Sequence, residues 1–475
     1  MASTGNATIT ATLYGISGTA VLTTGAPLPV SLQVTPATSS LAIGGAVEFT
    51  AMEVWSDNST HTPSGTVTWT SGAPATATIV AGPANGTEIA TALAVGTSVI
   101  TATESTLPTP SATANLTVVA GVTNFAYVAN STDNTIQWYQ VNASAAAPLT
   151  GSQVTAAPVF GNSLAPTQTI VHPSGNFLYA IDIGGNLHVM TVDPNTGAPS
   201  AEVGSPSATV AADFNYGAID PYGRFLYVSG DSSNTIYGFT INPVTGALTQ
   251  IGSGAAATTN LDTPQQILID RTGQYIFVPN FDGDTISSYS INQTTGALTA
   301  LTTIPTGSGP VFGTLDPAGT HLFVANAIDG TVSTYTIGSG GALTAGTPFT
   351  VTGATNLANV AIAPSGNAIY VLDADTTTGT VSAFSLSGAT IGAAIGTPVA
   401  TGGNPFGMGI DASGVLLAVV NNFDATASLY TIASDGSLTA KSPATVAAGE
   451  GPEFISFYNA AAAPSAGAVK GGTKK

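Results

Sequence analysis

The chain contains no cysteine, which removes disulfide staples and thiolate metal ligation from its repertoire. Positive charge is almost as scarce: 6 Lys and Arg stand against 25 Asp and Glu, leaving a net charge of -19. A surface of that sign repels phosphate, and with no basic run to offset it, nucleic-acid binding is excluded. Charged residues of all kinds make up only 7% of the 475 positions, against roughly 25% in an ordinary globular protein. Long apolar runs are missing too. Gly, Thr or Asn interrupts every stretch before the roughly 18 residues that a spanning helix needs, so no transmembrane segment is expected. The first residues, MASTGNATITATLYG, carry neither a basic region nor a long apolar core of a leader. A mature secreted chain would read the same way, and the Ser/Thr-rich, Lys-poor composition makes an extracellular or cell-surface location the expectation.

What is present is a β-protein vocabulary: 43% apolar residues, 17 Phe, 14 Tyr, 55 Gly, and abundant Thr, Ser and Asn. Residues 1–27 alternate small, Thr and apolar side chains up to Gly25-Ala26-Pro27, an N-terminal strand segment without a hydrophobic face large enough to stand alone. It is expected to pair with the same chain as an edge strand or with a neighbouring copy, which makes it a candidate inter-subunit connector. Residues 28–119 hold about seven short alternating segments separated by Gly, Pro, Asn and Ser turns, the pattern of two facing sheets. VTPATSSLAIGGAVEFTAMEVWSDNST, VTWTSG and IATALAVGTSVITAT resemble the bacterial Ig-like domains of group 2. The resemblance implies a β-sandwich with Trp69 as core aromatic and a surface, spacer or adhesive role.

From residue 120 a repeat dominates. Apolar strands centred on Tyr127, Tyr179, Tyr227, Phe277, Phe323, Tyr370 and Leu417 recur at spacings of 52, 48, 50, 46, 47 and 47 residues. Seven units of this period predict a β-propeller over 120–459, with a flexible tail over 460–475. Thr-Gly turns at Gly246 and Gly296 are expected to use positive φ. The first copy lacks a leading strand, while Pro452-Glu453-Phe454-Ile455-Ser456-Phe457 has no partner of its own. The fold class expected is therefore all-β, an Ig-like β-sandwich plus a seven-bladed β-propeller closed by the C-terminal strand, with two exposed edges removed by that closure.

The motifs VHPSGNFLYAID, IDPYGRFLYVSG, LDPAGTHLFVAN and IAPSGNAIYVLD resemble those of lactonase-like, YVTN-repeat propellers. Active members of the 6-phosphogluconolactonase group carry histidines and an arginine after prolines near the central channel. Here the matching places read Pro166-Thr167-Gln168-Thr169, Pro264-Gln265-Gln266 and Pro310-Val311-Phe312. With those groups missing and only Arg224, Arg271 and Lys441 as cations before the tail, the resemblance implies a fold without the expected catalytic set. An enzyme is therefore the less favoured expectation, and no catalytic or cofactor-binding residue is assigned.

Other candidates carry a bland and a sharp reading. Arg224 and Arg271 read as turn-capping or solubilising residues, and His172, His188 and His321 as isolated imidazoles rather than bases. Asp133, Asp182, Asp282, Asp284, Asp329, Asp373, Asp375 and Asp424 sit in turns, where carboxylates cap their own backbone. Asp373 and Asp375 are the better-spaced pair for a Ca²⁺ ion, the one cofactor considered. Trp138, Tyr139 and Tyr216 are candidates for stacking on a ligand. The function expected from these residues is a structural or adhesive surface protein that self-associates or forms polymers through its N-terminal strand. The alternatives are a module binding a surface glycan or peptide, and a divergent lactonase-like hydrolase.

Overall fold

A computed structural model describes residues 5–459 except 15, 43–45, 83–84, 120–123, 143–148, 151–164, 194–195, 203–207, 210–213, 231–232, 253–256, 258–260 and 375–377. Contacts divide the chain into two units, Met1–Ala120 and Gly121–Lys475. Asp375 and the tail after residue 459 lie outside the described residues.

In the first unit, Gly5–Leu13 and Ile16–Thr24 pair with each other as an antiparallel hairpin, so the segment is its own partner rather than an added edge strand. The rest forms two sheets. Thr38–Ala42, Ser111–Val119, Gly96–Thr103 and Thr68–Ser71 make one, and Pro29–Thr35, Ala46–Trp55, Thr87–Ala92 and Ala77–Ala81 the other. Leu32, Val34, Phe49, Ile100, Leu116 and Val118 supply the core, one alternate residue at a time from each strand. Phe49 takes the fully buried aromatic place, and Trp69 packs half-buried against the same cluster.

The second unit is a seven-bladed propeller of four- and five-stranded antiparallel sheets. In the third blade Phe214–Ile219 is the inner strand, followed outward by Phe225–Gly230, Thr235–Ile241 and Leu248–Gln250. Every residue of Phe225–Gly230 is buried, because each blade is sandwiched between two others and its second strand has no solvent face. Strands so placed read as continuous apolar runs rather than alternations, which is why the repeat is most visible there. Outermost strands such as Leu298–Pro305 are largely exposed.

In the first blade the C-terminal strand Pro452–Asn459 pairs with Asn124–Asn130 and lies between the inner strands of the seventh and second blades. The expectation of a propeller closed by this strand is nonetheless corrected: no sheet among the described residues closes on itself. Each blade is an open sheet, and Pro452–Asn459 is itself an inner edge. Blades are joined by side chains instead of a continuous hydrogen-bond ladder, so adding one strand completes a blade without abolishing edges.

Two side-chain devices repeat around the unit. Second-strand tyrosines reach a glycine carbonyl of the following blade: Tyr127 to Gly197 at 2.8 Å, Tyr179 to Gly246 at 2.8 Å, Tyr227 to Gly296 at 2.6 Å and Tyr370 to Gly436 at 3.0 Å. Gly246 and Gly296 have φ of 73° and 72°, and a Cβ on Gly246 would lie 2.7 Å from the Phe177 ring. Third-strand tyrosines reach back: Tyr335 to Pro305 at 2.8 Å, Tyr430 to Ala400 and Tyr139 to Ala447, both at 2.5 Å. Each phenol buries its ring and satisfies a carbonyl with one side chain.

Candidate functional site

The inner strands bulge where they enter the centre of the propeller. Phe214 pairs with Gly230 but Gly217 with Val228; Pro310 with Asn326 but Gly313 with Val324; Pro405 with Asn421 but Met408 with Val419. Each bulge sets two residues opposite one, and such irregularities re-aim side chains. Those re-aimed include Tyr216, Phe312 and Phe406, which meet on the axis. The Phe312 ring centre is 4.7 Å from Tyr216, 6.3 Å from Phe406 and 5.8 Å from Phe454, the last nearly parallel. Beside them is a cavity of about 460 Å³, with Phe281, Ile328 and Leu357 as further apolar walls and Gln265, Asn356 and Asn404 as amides. No lining residue is charged.

Register identifies equivalent inner-strand positions on five blades. Pro264, Pro310, Leu357, Pro405 and Pro452 each pair with the residue ending the second strand of their blade: Asn280, Asn326, Asp373, Asn421 and Asn130. The residues that follow are Gln265, Val311, Ala358, Phe406 and Glu453. The first four line the cavity. Glu453 is the acidic member of the series, half-buried, accepting from Ser131 Oγ at 2.8 Å and Asn422 Nδ2 at 3.2 Å. Burial pushes its carboxyl above the usual value, against the lowering effect of those two hydrogen bonds. At Gly407 a Cβ would fall 2.8 Å from both the Glu453 carbonyl and the Phe454 Cα, so glycine lets the strand carrying Glu453 come against the seventh blade.

The second-strand ends form a clasp. Asn280 donates to Thr285 at 3.0 Å and Ser287 at 2.9 Å; Asn326 to Thr331 and Ser333, and Asn421 to Thr426 and Ser428, repeat it. In the second blade Asp182 takes the Asn place and binds Asn186 and, at 2.7 Å, His188 Nε2. The structure thus brings together two candidates that were read separately. Burial raises the Asp182 carboxyl, but the hydrogen bonds from His188 and Asn186 outweigh it and hold it below the usual carboxylate value.

The other candidates are placed as follows. His172 is buried at the opposite end of its blade, where its Nδ1 accepts from the Ser174 backbone and Nε2 lies 3.0 Å from the Gly223 carbonyl. His321 sits 3.0 Å from Asp316 in the equivalent turn of the fifth blade. Arg224 binds Asp220 at 2.8 Å and Gln293, capping its own turn. Asp373 accepts the backbone N–H groups of Thr355 and Asn356. Asp133, Asp284, Asp329 and Asp424 likewise accept backbone N–H groups, of Glu450, Gly309, Ser308 and Gly403. Of the aromatic candidates, Tyr139 is a blade lock and Trp138 packs half-buried, while Tyr216 lines the cavity. Sequence reading missed Glu453 and Phe406. The Pro-x step at Pro452-Glu453 and Pro405-Phe406, shared with Pro264-Gln265 and Pro310-Val311, was the signal available.

The family model described as lactonase, 7-bladed beta-propeller matches residues 207–312 and 346–454. These segments contain every residue lining the cavity except Ala327 and Ile328. Among solved structures, the Pseudomonas aeruginosa periplasmic gluconolactonase is similar at 16% identity and a TM-score of 0.58, over 71% of this chain and 99% of that one. A candidate 6-phosphogluconolactonase from Bacteroides uniformis is similar at 18% identity and a TM-score of 0.58, over 70% and 99%. A Lactobacillus plantarum protein gives the same TM-score, identity and coverage as the latter. No curated protein matches the sequence. The expectation that an enzyme is the less favoured reading is corrected by the match to a lactonase family model, which points to enzymatic potential. Within the second unit, residues 207–312 and 346–454 thus resemble the lactonase seven-bladed propeller family, and the solved structures share the propeller fold.

Proposed function

We propose that the protein is a divergent lactone hydrolase whose site is the central cavity. The observation that carries this reading is the coincidence of the lactonase match with the cavity lining. We assign the general base to Glu453, which stands outside the cavity lining at the register-equivalent place on the first blade: its carboxylate takes a proton from water as the water oxygen bonds to the lactone carbonyl carbon. The amides of Gln265, Asn356 and Asn404 donate to the carbonyl oxygen as it gains charge. Collapse breaks the ring C–O bond, Glu453 returns the proton to the departing ring oxygen, and the product is a hydroxy acid. A carboxyl raised by burial is a stronger base than a solvated one and fits this task.

The test is proton release from a panel of lactones by the full chain. Glu453→Gln should lower kcat by about 100- to 10,000-fold, the usual range for a general base. The wild-type rate should rise with pH through an inflection above the usual carboxylate range, and the variant should lose that limb. Equal rates for wild type and variant would end the assignment of Glu453, and no activity on any lactone would end the hydrolase reading.

A second reading, association between copies, draws on the N-terminal hairpin. Its Ile9, Leu13, Tyr14, Ile16 and Val21 side chains are all exposed.

A further inference from the structure

Resting on the hydrolase reading of this cavity, we infer that its substrate is an uncharged lactone bearing an alkyl or acyl chain, and that phosphorylated or carboxylated sugar lactones are rejected. Three observations carry this. The first is the wall: Tyr216, Phe281, Phe312, Ile328, Leu357 and Phe406 present rings and branched chains, with three amides and the Thr355 and Tyr216 hydroxyls for polar contacts. A sugar ring needs a polar partner for each hydroxyl, whereas nine of the fourteen lining residues are apolar and none is charged. A cavity of about 460 Å³ accommodates the ring and a chain together.

The second is the distribution of charge. Asp284, Asp329 and Asp424 lie in the turns that follow the second strands, at the end of the propeller where Phe281, Ile328 and Asn404 border the cavity. Arg224 sits at the other end, in the turn between an inner and a second strand, where Asp220 and Gln293 engage it. Arg271 occupies the corresponding turn of the next blade, and Lys441 is on the outermost strand Leu438–Ala447 of the seventh. A phosphate entering the cavity would meet acidic turns and no lining cation to replace its hydration.

The third is the origin of the aromatic wall. Tyr216, Phe312 and Phe406 reach the axis through separate bulges on the third, fifth and seventh blades. Ile328 is 64% exposed at the mouth, so an apolar side chain meets the ligand as it enters.

The test separates binding from turnover in the full-length protein. Calorimetry compares a hexyl-substituted δ-lactam, which cannot be hydrolysed, with a phosphorylated sugar δ-lactam, and the parent lactones are assayed for ring opening. The alkyl lactam should bind at least roughly tenfold tighter, and kcat/KM should rise about three- to fourfold per added methylene until the cavity is filled. Phe312→Ala should weaken alkyl lactam binding about tenfold. Because Phe312 is central to its cluster, Ile328→Lys at the exposed mouth is the companion variant, expected to narrow the preference by raising affinity for the phosphorylated lactam. Alkyl lactam binding without hydrolysis of any lactone supports the ligand class and overturns the hydrolase reading. Equal or tighter binding of the phosphorylated lactam overturns the ligand class, even where its lactone is hydrolysed. Failure of both lactams to bind also overturns it.

Discussion

A single histidine records how burial converts a pH-sensitive group into a stability term. His172 stands in a turn position that Asp220, Asp270, Asp316 and Asp411 fill in other blades, where each carboxylate accepts backbone N–H groups. Burial lowers the imidazole's pKa from 6.5, against the raising effects of the Gly223 hydrogen bond and the Asp220 charge. The folded state therefore resists a proton that the unfolded chain accepts. The contribution of His172 is fully present above a pH of about 6.5 and is lost progressively below it. Urea midpoints measured from about pH 7 to pH 5 should fall, and His172→Gln should flatten that decline while costing about 1–2 kcal/mol in hydrogen bonds. A variant with the wild-type slope would assign the decline to other groups. Asp182 acts in a lower window. Its depressed pKa contributes stability above about 3.8 that disappears as pH falls through the folded value.

At the scale of elements, antiparallel pairing makes each blade, and the tyrosine locks make blades into a ring. Tyr227 is fully buried and its hydroxyl donates to Gly296 at 2.6 Å. Tyr227→Phe keeps the apolar ring but leaves a buried carbonyl without its donor, so chemical denaturation should show a loss of about 1–2 kcal/mol. Tyr222→Phe, at a half-exposed position in the preceding turn, is the control and should change stability by less than about 0.5 kcal/mol. Equal losses would remove the hydroxyl from the account of blade stacking. These locks were only half legible. Tyr and Phe alternate freely at the centre of the second strand, and the glycine that accepts lies 66 to 70 residues along, on another blade. No local pattern links them.

At the scale of the molecule, the N-terminal hairpin is the feature that sequence and structure describe differently. Alternation predicts strands, and strands are found, but among the described residues Gly5–Leu13 and Ile16–Thr24 pair only with each other. Isolated two-stranded hairpins are marginal in water, and apolar side chains held outward favour contact with another surface. Light scattering on a sizing column should show species larger than the 46.8 kDa chain, reverting to that mass when residues 1–24 are deleted. A monomer before and after deletion would remove the association reading and leave the lactone-hydrolase proposal untouched.

Composition and period alone determined that the chain is all-β, that seven copies repeat after residue 120, and that Pro452-Glu453-Phe454 supplies a strand the first copy lacks. These follow from local chemistry: turns need Gly, Asn and Asp, and strands buried on both faces need unbroken apolar runs. The candidate site was legible only as an address, the Pro-x steps, whose occupants lack the histidines and arginine expected there. Tertiary structure decided that three bulges gather Tyr216, Phe312 and Phe406, that Glu453 takes the register place of Gln265 and Phe406 on the first blade, that Asp182 meets His188, and that no sheet among the described residues closes on itself. A bulge exists only relative to its partner strand, and a cavity on a propeller axis is built from residues nearly 50 positions apart. Neither leaves a mark that neighbouring residues in sequence can show.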